Sequence, residues 1–288
     1  HEKTKKKALL KLKTMNFKIG YPNKWSDYNG LELHNDSYVL NYLRCAKYEF
    51  KKEIIDIVDQ KVDRDKWLMP AQQVNAYYYP QMNEIVFPAA ILQSPFFDKN
   101  AEDAYNYGGI GAVIGHEITH AFDDQGCQYD EKGQLKNWWT KKDKKMFDQN
   151  AANIIKQYNN FKLHDTNVRG ELTQGENIAD VGGVKISLQS LIHSNNIKVD
   201  KLKKPDFTSL SSIDDFNPIQ KFFISWANIW RCKITKEEAL RRIQMDPHSP
   251  NCYRINGTLQ NVELFNQQFN VKKGDEMYLE KEKRLTVW

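Results

Sequence analysis

His116 and His120 stand four residues apart, with Glu117 between them, in Gly111-Ala112-Val113-Ile114-Gly115-His116-Glu117-Ile118-Thr119-His120-Ala121-Phe122. On an α-helix that spacing puts both imidazoles on one face, one turn apart. Two imidazoles so held can share one Zn²⁺. Glu117 then lies beside the ion rather than on it, where a carboxylate can take a proton from a metal-bound water. A second pair, Glu176 and Asp180, also four apart, occurs in Gly175-Glu176-Asn177-Ile178-Ala179-Asp180. A catalytic zinc keeps three protein ligands and one open place, so Glu176 is the candidate third ligand. Asp180, one turn along, can accept the free ring N–H of a ligating histidine and fix its tautomer. Two acids on a helix are ordinarily a solvated face. Here Ile178, Ala179, Val181, Gly182, Gly183 and Val184 make the surroundings apolar, and an unpaired carboxylate buried among them would be costly.

The elements that must position these residues are legible in outline. Ile110, Val113, Ile114, Ile118, Ala121 and Phe122 recur at helical spacing, so the histidines belong to a core helix reaching toward Asp123. Gly108, Gly109, Gly111 and Gly115 cost helix propensity, and small residues along a buried helix imply close approach of another backbone. Residues 171–192 read as the helix carrying the second pair. Val74–Pro80 and Glu84–Phe87 read as a hairpin around Gln81-Met82-Asn83, and a sheet edge near such a helix can hold an extended peptide. Asn75, taken alone, reads as a polar residue at a strand end. Residues 2–12 read as a charged helix, Met15–Ser26 as a turn-rich connector, and Tyr38–Val62 as an amphipathic helix. A lysine-rich helix is expected through Tyr158 and an aromatic core helix over Phe216–Ile229, with Trp230 just beyond. Asp246-Pro247-His248-Ser249-Pro250 cannot be regular structure, having two prolines three apart.

The chain has 288 residues, 40% hydrophobic and 12% aromatic, enough for one large domain or a domain with a fragment of another. Its net charge of +5 comes from 42 basic and 37 acidic residues spread over a mixed surface, which does not point to nucleic acid. No apolar run approaches the ~20 residues that span a bilayer. The chain opens at His1 rather than Met, which reads as an excised or processed segment. Cys45, Cys127, Cys232 and Cys252 form no CxxC pair and no disulfide framework, and Cys127 reads as an ordinary partly buried thiol. Asn35-Asp36-Ser37 and Asn256-Gly257-Thr258 match a glycosylation sequon that is common by chance.

Taken as a set, the motifs resemble the catalytic part of the neprilysin-like zinc metallopeptidases, the group of neprilysin, endothelin-converting enzyme and bacterial oligopeptidases. The matching strings, in the family's order over most of residues 70–288, are Val74-Asn75-Ala76-Tyr77, Ile85-Val86-Phe87-Pro88-Ala89, Tyr107-Gly108-Gly109-Ile110-Gly111 leading into His116-Glu117-Ile118-Thr119-His120, Phe122-Asp123-Asp124, Trp138-Trp139-Thr140, the Glu176 string and Asp246-Pro247-His248-Ser249-Pro250, with Arg254 and Gly257-Thr258-Leu259-Gln260-Asn261. The resemblance implies an α+β, mainly helical, thermolysin-like (gluzincin) fold with a small sheet lining the cleft. It implies one Zn²⁺ per chain on His116, His120 and Glu176, with Glu117 as general base and proton shuttle and Asp180 orienting His116. By the same resemblance His248 stabilises the oxyanion, Arg254 bonds a substrate carbonyl, and Asn75 with the main chain of Ala76 holds the extended substrate. Ile91, Phe96, Val113 and Trp230 would line a pocket for a large apolar residue after the scissile bond.

The function so implied is zinc-dependent endopeptidase action on oligopeptides. The alternative is a peptide-binding module whose zinc is idle or structural for want of a cap. Residues 1–37 read as the end of a helical cap domain and its connector, and 38–288 as the catalytic domain. The missing cap is thus an expected partner beside the oligopeptide substrate; oligomeric state is left open. The family's animal ectodomains carry disulfides, and none of the four cysteines here falls on such a position, Cys232 being displaced by one from a family cysteine. That pattern favours a bridge-free microbial type, intracellular or secreted, over a membrane-anchored ectodomain.

Overall fold

A computed structural model describes residues 1–202 and 212–286. Helix α1 (Glu2–Lys13) leads into strand β1 (Asn16–Gly20), and α2 (Tyr38–Phe50) continues through a π-type turn to Ile55. Strands β2 (Tyr77–Tyr79) and β3 (Glu84–Pro88) follow, then α3 (Asp103–Asn106) and, after a second π-type turn over Tyr107–Gly111, α4 (Ala112–His120). Next come α5 (Lys141–Tyr158), the two-residue strands β4 (Lys162–Leu163) and β5 (Thr166–Asn167), and the long α6 (Gln174–Ser194). Helices α7 (Pro218–Trp230), α8 (Lys236–Met245), α9 (Asn251–Leu259) and α10 (Glu263–Gln268) complete the fold, which is mainly helical with small sheets, as expected.

The larger sheet has the order β1-β3-β2. β3 is central, antiparallel to β2 and parallel to β1, pairing Phe17 with Ile85 and Tyr78 with Ile85 across its two sides. Its residues are buried on both faces, so Ile85-Val86-Phe87 reads as a continuous apolar run rather than an alternating one. Three expectations change here. The stretch Met15–Ser26 is not all connector, because its first half supplies β1. The hairpin strand begins at Tyr77 rather than Val74. The amphipathic helix beginning at Tyr38 stops regular winding at Phe50 and has no buried residue among those described, although Val39, Leu40, Leu43 and Phe50 are apolar.

Local chemistry explains where the helices start. Thr140 accepts the Asp143 N–H and opens α5. Asn217 accepts from Ile219 and Gln220, Gln220 reaches back to the Asn217 N–H, and Pro218 takes the first helical position of α7. α7 then buries Ile219, Phe222, Phe223 and Trp226 in the main core with Ile85, Phe87, Val113 and Val184.

The contact that organises the site is α4 against α6. A Cβ on Gly115 would lie 2.6 Å from the Gly183 carbonyl oxygen, and one on Gly183 would lie 2.5 Å from the His116 nitrogen. Only glycine at both positions lets the two backbones approach this closely. That approach brings the face of α6 bearing Glu176 and Asp180 against the histidines of α4.

Candidate metal and peptide site

His120 ends α4 and His116 lies one turn before it, their rings edge to face with centroids 4.5 Å apart. Each ring is held by a carboxylate at its inner nitrogen. His116 Nδ1 lies 2.8 Å from Asp180 Oδ1, and His120 Nδ1 lies 2.7 Å from Asp123 Oδ2. A carboxylate only accepts, so each Nδ1 is the donor and, in the neutral ring, each Nε2 is a bare lone pair. These lone pairs face one another at 2.9 Å. Both also face Glu176 Oε2, at 3.2 Å from His116 and 3.6 Å from His120. No donor is aligned on that oxygen in hydrogen-bonding geometry, although it is buried.

Three electron-pair donors, one on a buried and two on half-buried residues, converging without a proton among them are a poor arrangement for a protein alone and a good one for a cation. Donors at ~2.0–2.1 Å from a tetrahedral zinc stand roughly 3.3 Å from each other, and the three separations here bracket that value. Among the described residues, His116, His120 and Glu176 form a group that could hold a metal ion, their donor atoms all within 4.8 Å of one another. The imidazoles of His116, His120 and His248 hold the Glu176 carboxyl well below the usual range, against the opposing pull of burial.

Glu117 is buried at the floor of a cleft of about 620 Å³, and its Oε2 has no hydrogen-bond partner. Burial pushes its carboxyl above the usual range, and the neighbouring histidines pull the other way. The cleft is also lined by Asn75 and Ala76 just before β2, and by Ile91, Phe96, Val113 and Trp230 as an apolar patch. His248 and Arg254 also line it. Asp180 alone of the expected set stays behind the wall. It is buried between His116 and Arg254, accepting from Arg254 Nε at 2.8 Å and Nη2 at 2.7 Å. Burial works to raise its carboxyl, and the guanidinium outweighs that and holds it below the ordinary carboxylate value.

The irregular Asp246–Pro250 stretch is fixed from both ends. Asp246 Oδ1 accepts from the His248 N–H at 2.9 Å and lies 2.8 Å from its Nδ1. Ser249 donates to Asn177 Oδ1 at 2.7 Å, tying the loop to α6 inside the protein. His248 Nε2 then lies 3.1 Å from Glu176 Oε2. Asn177 thus reaches the site through Ser249 rather than facing it.

Two parts of this arrangement escaped the sequence reading. Asp123 is the carboxylate behind His120, and its place three residues on, just past the helix end, was the available signal. The pairing of Arg254 with Asp180 joins segments 74 residues apart and leaves no local pattern.

The model of peptidase family M13 matches residues 75–285. Neprilysin-3 of Drosophila melanogaster is 38% identical over 284 residues, covering 96% of this chain and 35% of that protein. The neutral endopeptidase of Lactobacillus helveticus is 36% identical over 289 residues, covering 100% of this chain and 41% of its own length. The chain therefore spans between a third and about two fifths of these curated relatives. Among solved structures, the zinc metalloprotease Zmp1 of Mycobacterium tuberculosis in complex with an inhibitor superimposes with a TM-score of 0.92 at 43% identity, over 100% of this chain and 43% of that one. PepO from Lactobacillus superimposes at 0.86 with 37% identity, over 100% and 43%.

Proposed function

Because the chain belongs to peptidase family M13, we propose that it is the catalytic part of a zinc-dependent endopeptidase that hydrolyses oligopeptides, cutting before large hydrophobic residues. The observation that carries this reading is the pair of bare Nε2 atoms 2.9 Å apart with the unpartnered Glu117 carboxyl in the same cleft. A structural ion would need the first feature and not the second.

His116, His120 and Glu176 would hold one zinc ion per chain. Bound there, zinc would supply the Lewis-acid charge that activates water and polarises a carbonyl. Asp180 and Asp123 keep the rings in the tautomer that presents Nε2. Glu117 takes the proton of the attacking water and returns it to the leaving amine. Its unpaired state and raised pKa suit a group that must both accept and release that proton. His248 donates from Nε2 to the oxyanion as an imidazolium, its Nδ1–H held by Asp246 and its pKa raised by Glu176 against the pull of burial. Arg254 donates to a substrate carbonyl. Asn75 and the Ala76 main chain hold the extended peptide along β2, and Ile91, Phe96, Val113 and Trp230 receive its apolar side chain.

The remainder of the longer protein would act as a cap over the cleft, with residues 1–37 as its end and connector. The length of the relatives and the uncovered apolar residues of α2 support this part of the reading. No helix among the described residues is long and apolar enough to cross a membrane. The mixed surface charge of +5 gives no reason to invoke nucleic acid, and the bridge-free cysteine pattern keeps the microbial type as our reading of its origin.

The test uses the full-length protein and a fluorogenic peptide with a large apolar residue after the cut. Cleavage should vanish with a chelator and return with zinc. Glu117→Gln should abolish turnover while stoichiometric zinc stays bound. Cleavage by Glu117→Gln at near the parental rate would remove that residue from its assigned role.

A further inference from the structure

Lys11 is the least expected residue in the core. It lies on α1, a helix otherwise rich in solvated lysines, yet it is only 1% exposed. Its ammonium has three N–H donors, and three main-chain carbonyls accept from it, those of Ala121, Gly126 and Tyr129, each at 2.7 Å. Tyr78, Phe122 and Trp138 surround it with ring centroids 5.7–6.0 Å away. A lysine is almost never buried this deeply without compensation. Here the compensation falls on the segment that follows the metal-binding helix. The Ala121 carbonyl is at the C-terminal end of α4, where a cation also meets the negative pole of the helix.

We propose that Lys11 is a positioning residue for the metal site, acting on His120 through Asp123. The connection is continuous. Lys11 fixes the Gly126 carbonyl, and the N–H of that same residue donates to Asp123 Oδ1 at 2.6 Å. Gln125 N–H donates to the same oxygen at 2.9 Å. The other carboxylate oxygen, Oδ2, meets His120 Nδ1 at 2.7 Å. The turn that aims Asp123 is therefore held from a helix more than a hundred residues earlier in the chain. α1 is itself seated independently of the Lys11 side chain: Asn83 donates to the Lys11 main-chain carbonyl at 2.9 Å, and Thr4 donates to Asp143 at 2.5 Å. It is a fixed anchor against which the turn can be held.

This inference rests on the reading of His120 as a zinc ligand. The test is a double-mutant cycle on zinc affinity, measured by chelator competition in the full-length protein with Lys11→Met, Asp123→Asn and the pair. Loss of a partner behind a metal ligand typically weakens binding about 10- to 100-fold. Lys11→Met should weaken zinc about tenfold, and the pair should lose little more than Asp123→Asn alone, since one acts through the other. Losses that multiply independently, or parental affinity in Lys11→Met, would overturn the proposal. Should Lys11→Met fail to fold, Lys11→Arg spreads the same charge over a planar fork that cannot reproduce three converging bonds. Its cobalt-substituted form should show a shifted visible spectrum, and a spectrum and zinc affinity equal to the parent's would overturn the proposal. If the parent itself bound no zinc, the His120 reading would fail instead, and the two failures are distinguishable.

Discussion

Arg254 lies over the ring of Trp230, its guanidinium carbon 3.7 Å from the ring centroid, while two of its nitrogens bond the buried carboxylate of Asp180. One side chain thus spans the apolar wall of the cleft and the carboxylate that orients His116.

That double attachment makes Arg254→Met a test of stability as well as activity. Asp180 would be left buried with an uncompensated charge, which costs about 3–5 kcal/mol when one partner of a buried pair is removed. The melting temperature should fall, and zinc should be held more weakly because Asp180 also supports His116. Thermal unfolding and chelator competition check the two parts separately. Unchanged values in both would show that the pair does not support the site.

Gly183→Ala should drive α6 away from α4. The added methyl would meet the His116 nitrogen at 2.5 Å and the Ala112 carbonyl at 2.7 Å, both main-chain atoms that cannot rotate aside. Overpacking of this kind costs about 1–3 kcal/mol. The separation of Glu176 from the histidines should grow, so the variant should lose bound zinc by elemental analysis even where circular dichroism shows it folded.

The loop around His248 gives a graded pair. His248→Ala should reduce turnover by ~10²–10³, the usual effect of losing one oxyanion donor, with zinc retained. Ser249→Ala removes the bond to buried Asn177 and leaves that amide oxygen unpaired, at about 1–3 kcal/mol in stability. Its turnover should fall less than that of His248→Ala, because the ring is still tethered by Asp246. Steady-state kinetics and melting curves rank the two.

Acid should loosen the junction between α1 and α5 before it reaches the core. Hydrogen bonds from Thr140 and Thr4 hold the Asp143 carboxyl down to about 2, from an ordinary 3.8. A group depressed in the folded state stabilises fully above its unfolded pKa and loses that contribution as pH falls through the folded one. The difference in melting temperature between the parent and Asp143→Asn should be constant above about pH 5 and shrink toward zero near pH 2. A difference that grows on acidification would reverse the assignment.

Much of the site was readable because its spacing is local. His116 and His120 share a helix face, as do Glu176 and Asp180, and the sequence contains both facts. The meeting of the two helices was only hinted at by Gly115 and Gly183, since a glycine announces close approach without naming what approaches. The Arg254 pair, the Asp123 support and the burial of Lys11 are long-range or main-chain interactions with no periodicity to betray them. β1 was missed for a related reason. It is a parallel strand whose partner lies far along the chain, and Lys18 within it looks solvated in sequence although it is buried against Glu84 at 3.0 Å.

Helix α2 keeps every one of its side chains at least partly in water. A helix of 13 residues draws little from its own hydrogen bonds, since isolated helices shorter than ~12–15 residues are marginal. Its persistence draws on the loop before it, where Arg44 donates to the Asp36 carboxylate and the Tyr48 hydroxyl to the Asp27 carbonyl. α2 is where a nicking protease should first gain entry, and where two molecules should first adhere.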